Sequence, residues 1–323
     1  MPALTVHHLR VRAQATAPLS LREYTGASLR GAFFTTLLSR FCSNVSTDTC
    51  VGCSFAPVCP VCALVAPLRD TSPRGRDVPR AYAIRPPVNH PGVLESGEVF
   101  TFGLTLFGLG IDLFPYVVLT LYEMGRYGVG HRLAENQWKR GQFVIQEVQA
   151  VHLLSGQSRT VMQEHLQQVR VPDMPMGWED ALHQARTRSL APDRLVLRFW
   201  TPLRLTDQKR LVKQPEMRPL VARLLERHDG LAREYGGTPF ELPEREALQA
   251  AAAKVRLVED GTRWVDLGSF SRRQRKATPI GGMVGTAAYA GEIAPLLPLL
   301  VWGSVIQVGK DTTKGNGVYE LWT

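Results

Sequence analysis

The feature that most restricts the fold is an order of hydrophobic periods that occurs twice along the 323 residues. In the first half, residues 3–13 alternate as a strand and SLRGAFFTTLLSRF (28–41) has helical spacing. GEVFTFGLTLFG (97–108) is strand-like, DLFPYVVLTLYEMGRYG (112–128) is a helix ending in glycine, and GQFVIQEVQAVH (141–152) is a further strand. The second half repeats the series. A strand, DRLVLRFWTPLRL (193–205), precedes a basic amphipathic helix around 216–234. RWVDLGSF and GGMVGTAAYAG follow as strands, then an apolar helix near 292–302 and the strand GVYELW. Two βαββαβ series predict an α+β chain of two tandem ferredoxin-like (RRM-like) domains. The expected domains are 1–188 and 189–323, with the boundary in the mixed stretch 157–190.

Local signals refine this reading. Leu4 and Val6 share one parity and Leu9 and Val11 the other, which predicts a bulge at His7–His8. Ser28 is the expected N-cap of the first helix, and Gly31 in its first turn suggests a close backbone approach.

Lys and Arg exceed Asp and Glu by 38 to 29, a net charge of +9 that favours a polyanionic partner. The amino terminus lacks the pattern of a signal peptide, and IAPLLPLLVWGSVIQVG is too short and proline-interrupted to span a bilayer. These features predict no membrane association and a cytoplasmic location, where clustered cysteines serve as ligands or thiols more often than as disulfides.

Cys42, Cys50, Cys53, Cys59 and Cys62 fall within 21 residues, in a 42–62 insert too polar to fold around its own core. Two C-x2-C pairs can gather four thiolates around one metal, so a structural zinc is expected, with an iron–sulfur cluster as the alternative. Three other segments combine glycine with cations. WVDLGSFSRRQRKATPIGGMVG holds Arg272, Arg273, Arg275 and Lys276, and GRYGVGHR holds Arg126, His131 and Arg132. GKDTTKGNG sets Lys310 and Lys314 among Gly309, Gly315 and Gly317, as in a loop whose N–H groups approach an anion. No Walker lysine–serine motif or dinucleotide fingerprint is present, and no helix-turn-helix accompanies the charge.

In order and spacing these segments resemble the CRISPR-associated endoribonuclease that processes precursor crRNA, a member of the RAMP superfamily. SLRGAFFTTLLSRFC with the cysteines is similar to that family's first helix and insert. LRFWTPLRL, RWVDLGSFSRRQRKATPIGGMVGTAAYAG and VGKDTTKGNGVYEL are similar to its carboxy-terminal half. The resemblance implies CRISPR repeat RNA or crRNA as the partner, with other effector subunits as further candidates. It also implies that GKDTTKGNG is the terminal RNA-holding loop, although Lys314 stands where the family often has an aromatic. It favours Cys42, Cys50, Cys53 and Cys59 as metal ligands, because an aromatic is commoner where Cys62 stands.

The family reaction is metal-independent attack of a ribose 2′-OH on the adjacent phosphorus, with no catalytic cofactor. It needs a base, an acid and cations on the phosphorane. The family's histidine often lies in or just after the first helix, but residues 28–62 contain none. The candidates are therefore His8, Tyr24 and His131, with Arg30 among the RNA-contacting cations. The competing reading is a catalytically inactive subunit that holds crRNA.

Overall fold

The computed structural model describes residues 4–21, 23–44, 50, 53–66, 78–88, 92–163, 168–187, 193–237, 242, 244–271 and 276–322. The chain divides into two compact units, Val6–Pro175 and Met176–Thr323, the second joined by the first few residues. The division thus falls at 175/176 and not at 188/189. The helix Trp178–Thr187, expected to belong to the first domain, lies against the second unit's last helix.

In the first unit the elements are β1 (Val6–Ala15), β2 (Leu19–Ser20), α1 (Gly26–Phe41), α2 (Pro60–Leu64), β3 (Tyr82–Arg85), β4 (Val93–Leu94) and β5 (Val99–Phe107). They continue with α3 (Phe114–Tyr127), β6 (Val129–Leu133), β7 (Lys139–Gly141), β8 (Phe143–Val151) and β9 (Ser158–Gln163). The main sheet runs β3-β5-β1-β8-β9, with every pairing antiparallel, and a small sheet runs β4-β2-β6-β7. Leu9, Val11 and Ala13 of β1 are fully buried and pair with Leu104, Phe102 and Phe100 of β5. Leu29, Phe33 and Leu37 of α1, with Val117, Leu121 and Met124 of α3, complete this core.

In the second unit come α4 (Trp178–Thr187), β10 (Arg194–Leu203), β11 (Thr206–Asp207), β12 (Arg210–Leu211), α5 (Met217–Tyr235) and α6 (Arg245–Lys254). They are followed by β13 (Arg256–Val265), β14 (Gly268–Ser271), β15 (Lys276–Pro279), β16 (Gly282–Ala290), α7 (Leu297–Ile306) and β17 (Tyr319–Trp322). The sheet order β13-β16-β10-β17 is that of a βαββαβ winding, in which the first and third strands are central. Leu195, Leu197 and Phe199 of β10 point into a core that also holds Leu220, Leu224 and Trp302. The result is a mixed α+β fold of antiparallel sheets, consistent with ferredoxin-like architecture. Among the described residues no helix is long and apolar enough to cross a membrane.

Three local expectations fail. β1 pairs with β5 without interruption from Val6 to Gln14, so there is no bulge at His7–His8. The only register shift of β1 is against β8, between Arg12 and Ala13. The alternation slips because Val6 to Leu9 are buried on both faces of the sheet, which removes the need for a polar parity there. Thr25 and not Ser28 precedes α1, and it makes no side-chain cap. A Cβ on Gly31 would meet nothing within 4 Å, so that glycine serves no close approach.

Candidate functional site

Of the three catalytic candidates, His8 has the most defined seat. Strand pleating sends His8 and Arg10 to the face opposite Leu9 and Val11. His8 is buried, and its Nδ1 is hydrogen-bonded to Thr105 Oγ1 at 2.9 Å across the β1–β5 pairing. Gly103 lies opposite both Arg10 and Arg85 in the neighbouring strands. A Cβ at Gly103 would stand 2.5 Å from His8 Cε1, so the ring occupies space that only glycine leaves. His8, Arg10, Arg85 and Gly103 line one cavity of about 380 Å³, with Pro86 and Phe102 among its walls. Burial, then the charges of Arg85 and Arg10, hold the His8 pKa well below its ordinary value. A neutral imidazole between two guanidiniums can accept a proton next to a bound anion.

Tyr24 and His131 lie elsewhere. His131 is opposite Ser20 where β2 pairs with β6, and neither it nor Tyr24 lines the His8 cavity. Tyr24 leads into α1 with φ 61°, a left-handed conformation strained for an aromatic residue. The structure therefore does not assemble the three candidates in one place. Arg30 is turned along its own helix, with its guanidinium 4.9 Å from the Phe34 ring. Arg126 and Arg132 are exposed at the end of α3 and in β6.

The glycine–lysine loop is folded tightly on its own chain. Gly309, Gly315 and Gly317 all have positive φ, and a Cβ on Gly317 would overlap Val308 O. The N–H groups of Lys310 and Gly317 donate to Arg204 O and Pro202 O. Those of Lys314, Gly315 and Asn316 donate to Asp311 O or Thr312 O. The glycines thus serve the loop's own packing, and those five donors are already used. Lys314 Nζ is 2.9 Å from Asp311 Oδ1, whereas Lys310 is exposed. Arg272, Arg273 and Arg275 lie outside the described residues, and of Lys276 only its backbone in β15 is described.

Cys50 and Cys59 lie near Cys62. Cys62, on α2, has thiol hydrogen bonds with Cys50 and Cys59, and burial with these neighbours pushes its thiol far up. Cys50 also feels Cys42 and Cys53. Asn44 accepts from Cys42 Sγ and donates to Cys53 Sγ. Among the described residues, no group of three or more His, Cys, Asp or Glu side chains stands ready to hold a metal ion.

Two features escaped the sequence reading. On β10, Arg198 lies between two indoles, 3.6 Å from the Trp200 ring and 4.8 Å from the Trp322 ring. Period-2 parity in LRFWTPL puts Arg198 and Trp200 on one outward face, so that half of the cluster was legible. The second feature is Trp138, exposed in the β6–β7 connection.

Comparison with known proteins places the chain. Residues 4–174, just over half of it, match a family described as the AF_1859 N-terminal domain. Residues 197–319 match the CRISPR-associated endoribonuclease Cas6 family. The chain belongs to the family of the AF_1859 N-terminal domain, and its carboxy-terminal part is similar to the Cas6 family. It is similar in fold to Thermus thermophilus Cas6, at TM-score 0.53 and 16% identity over 100% of both chains. A Cas6 product complex gives TM-score 0.54 at 15% identity, covering 98% of this chain and 99% of that one. A chain from a partial Cas6-RT-Cas1–Cas2 complex gives 0.59 at 14% identity, covering 99% of this chain but 46% of that one. No curated protein sequence is matched.

The seat of His8 has a consequence for stability. Its folded pKa is depressed below an unfolded value near 6.5, so in acid the unfolded chain takes up the proton first. Stability is retained above that value and falls as pH drops below it. His7, also buried with a lowered pKa, adds to the loss. Tm should therefore fall between about pH 7 and about pH 5, and His8→Gln should fall less. Equal pH dependence of the two proteins would contradict a neutral buried His8.

Proposed function

We propose that the protein binds CRISPR repeat RNA and cuts it into crRNA without a catalytic metal, its two units acting as tandem ferredoxin-like domains. The observation that carries this reading, beyond the similarity of residues 197–319 to the Cas6 family, is the neutral His8 flanked by Arg10 and Arg85 at one cavity. In the reaction the 2′-oxygen forms a bond to phosphorus and the bond from phosphorus to the 5′-oxygen breaks. His8 takes the 2′-OH proton, and the arginines stabilise the charge on the phosphorane. The 5′-oxygen leaves with a proton from water, because neither Tyr24 nor His131 lines the His8 cavity. Lys310 supplies a phosphate contact in the second unit, and the run around Arg272, Arg273, Arg275 and Lys276 supplies others. The match to a Cas6-RT-Cas1–Cas2 chain supports other CRISPR proteins as partners.

His8→Ala should lower the single-turnover cleavage rate by about 10²-fold or more while repeat-RNA affinity stays near wild type. Tyr24→Phe and His131→Ala, measured beside it, should cut near the wild-type rate, since neither residue lines the His8 cavity. Wild-type cleavage by His8→Ala would remove His8 from the mechanism. A wild-type protein that binds repeat RNA and never cuts it would favour a crRNA-holding subunit.

The cysteine insert is read as a structural zinc site, drawn from Cys42, Cys50, Cys53, Cys59 and Cys62, with iron–sulfur as the alternative. The C-x2-C spacing and the contacts of Cys50 and Cys59 with Cys62 support it. Such a metal would brace the segment between α1 and α2, because its binding free energy is folding free energy. Cys50→Ser should reduce bound metal and Tm together, read by elemental analysis and calorimetry. A metal-free preparation as stable as the purified protein would overturn this.

A further inference from the structure

The chain from Arg126 to Gly141 forms an arm with features that packing does not explain. Trp138 is 67% exposed and Tyr127 65%, although large aromatics are ordinarily among the better-buried residues. Around them Arg126, Arg132 and Lys139 are exposed, and Arg140 is half-buried. Within the hairpin Arg132 of β6 is directly opposite Arg140 of β7, a like-charge pairing that weakens a two-stranded ribbon. Gln137 and Trp138 both take left-handed backbone, at φ 54° and 60°, which neither side chain favours.

The arm is nevertheless well anchored. Asn136 Nδ2 donates to Pro18 O at 2.5 Å, Arg140 Nη1 to Gly130 O at 3.0 Å, and Trp138 N to Leu133 O at 2.9 Å. At its base, Arg126, Tyr127 and Gln142 line a cleft of about 370 Å³. The fold therefore holds an indole in solvent among cations, on a strained and fixed turn. Exposed aromatics interleaved with basic residues suit unpaired nucleotides, whose bases stack on the rings while phosphates meet the cations. A duplex would offer phosphates but no free base face.

We propose that this arm is an RNA-binding surface for single-stranded nucleotides, with a base stacked on Trp138 and adjacent phosphates at Arg132 and Lys139. The inference rests on the reading of the chain as a repeat-RNA binder and adds a contact in the first unit, apart from the glycine–lysine loop. The test uses the full-length protein with an oligouridylate of about 12 nucleotides, a length within the range one single-strand site covers, alongside repeat RNA. Trp138→Ala should weaken oligouridylate binding about tenfold, and Trp138→Phe should largely restore it. The salt dependence of Trp138→Ala should match wild type, whereas Arg132→Ala with Lys139→Ala should lower the slope by about 0.7 per lost contact. Wild-type affinity of a folded Trp138→Ala protein would overturn the proposal. So would a Trp138-dependent dimer with unchanged RNA binding. If wild type binds repeat RNA but not oligouridylate, the arm's role falls and the repeat-RNA reading stands. If it binds neither, both fall.

Discussion

The missing side chain at Gly103 is what the candidate catalytic site depends on. The His8 ring lies where any Cβ at that position would be, and the same glycine separates Arg10 from Arg85 across three adjacent strands. A larger residue would push the ring from its contact with Thr105 and fill the floor of the cavity. Neutrality, access and the two cations therefore follow from one glycine in a central strand. Burial of a histidine costs little when it stays neutral and keeps a hydrogen bond, so the fold can hold a proton acceptor there near neutral pH.

Glycine has a different use in the second unit. Gly309 and Gly317 let the loop after α7 lie directly on Pro202–Leu205 at the end of β10, and Gly281 and Gly282 pack as closely against Val265 and Leu203. Asn316 is buried and donates to Ile280 O, which ties the loop to the segment between β15 and β16. These glycines lock the loop to the sheet. Any phosphate contact then falls to side chains such as Lys310 more than to the five N–H groups already used.

Much of the architecture was legible because hydrophobic period survives in a single sequence. The helix expected over 112–128 spans Phe114–Tyr127 and ends at Gly128 with φ 79°, and the strand expected over 193–205 spans Arg194–Leu203. Hydrophobic period misleads where burial has none. β1 is covered on both faces at Val6–Leu9, which imitated a bulge. Long-range partnership was equally invisible. Nothing near His8 in sequence points to Arg85 or Gly103, and only strand pairing unites them. Resemblance favoured Cys62 as the spare cysteine, and its nearness to Cys50 and Cys59 is a relation that spacing alone does not show. Trp138 stood in a stretch read only as a connection, and its exposure is a property of the folded hairpin.

The central claim is that this protein cleaves RNA by attack of the RNA's own 2′-hydroxyl on the adjacent phosphorus, with expulsion of the 5′-oxygen. It is tested most directly by the chemical ends of the product after incubation of labelled repeat RNA with purified protein in EDTA. The account predicts one cut, leaving a 2′,3′-cyclic phosphate upstream and a 5′-hydroxyl downstream. A 5′-phosphate product, or cleavage that EDTA abolishes, would contradict it.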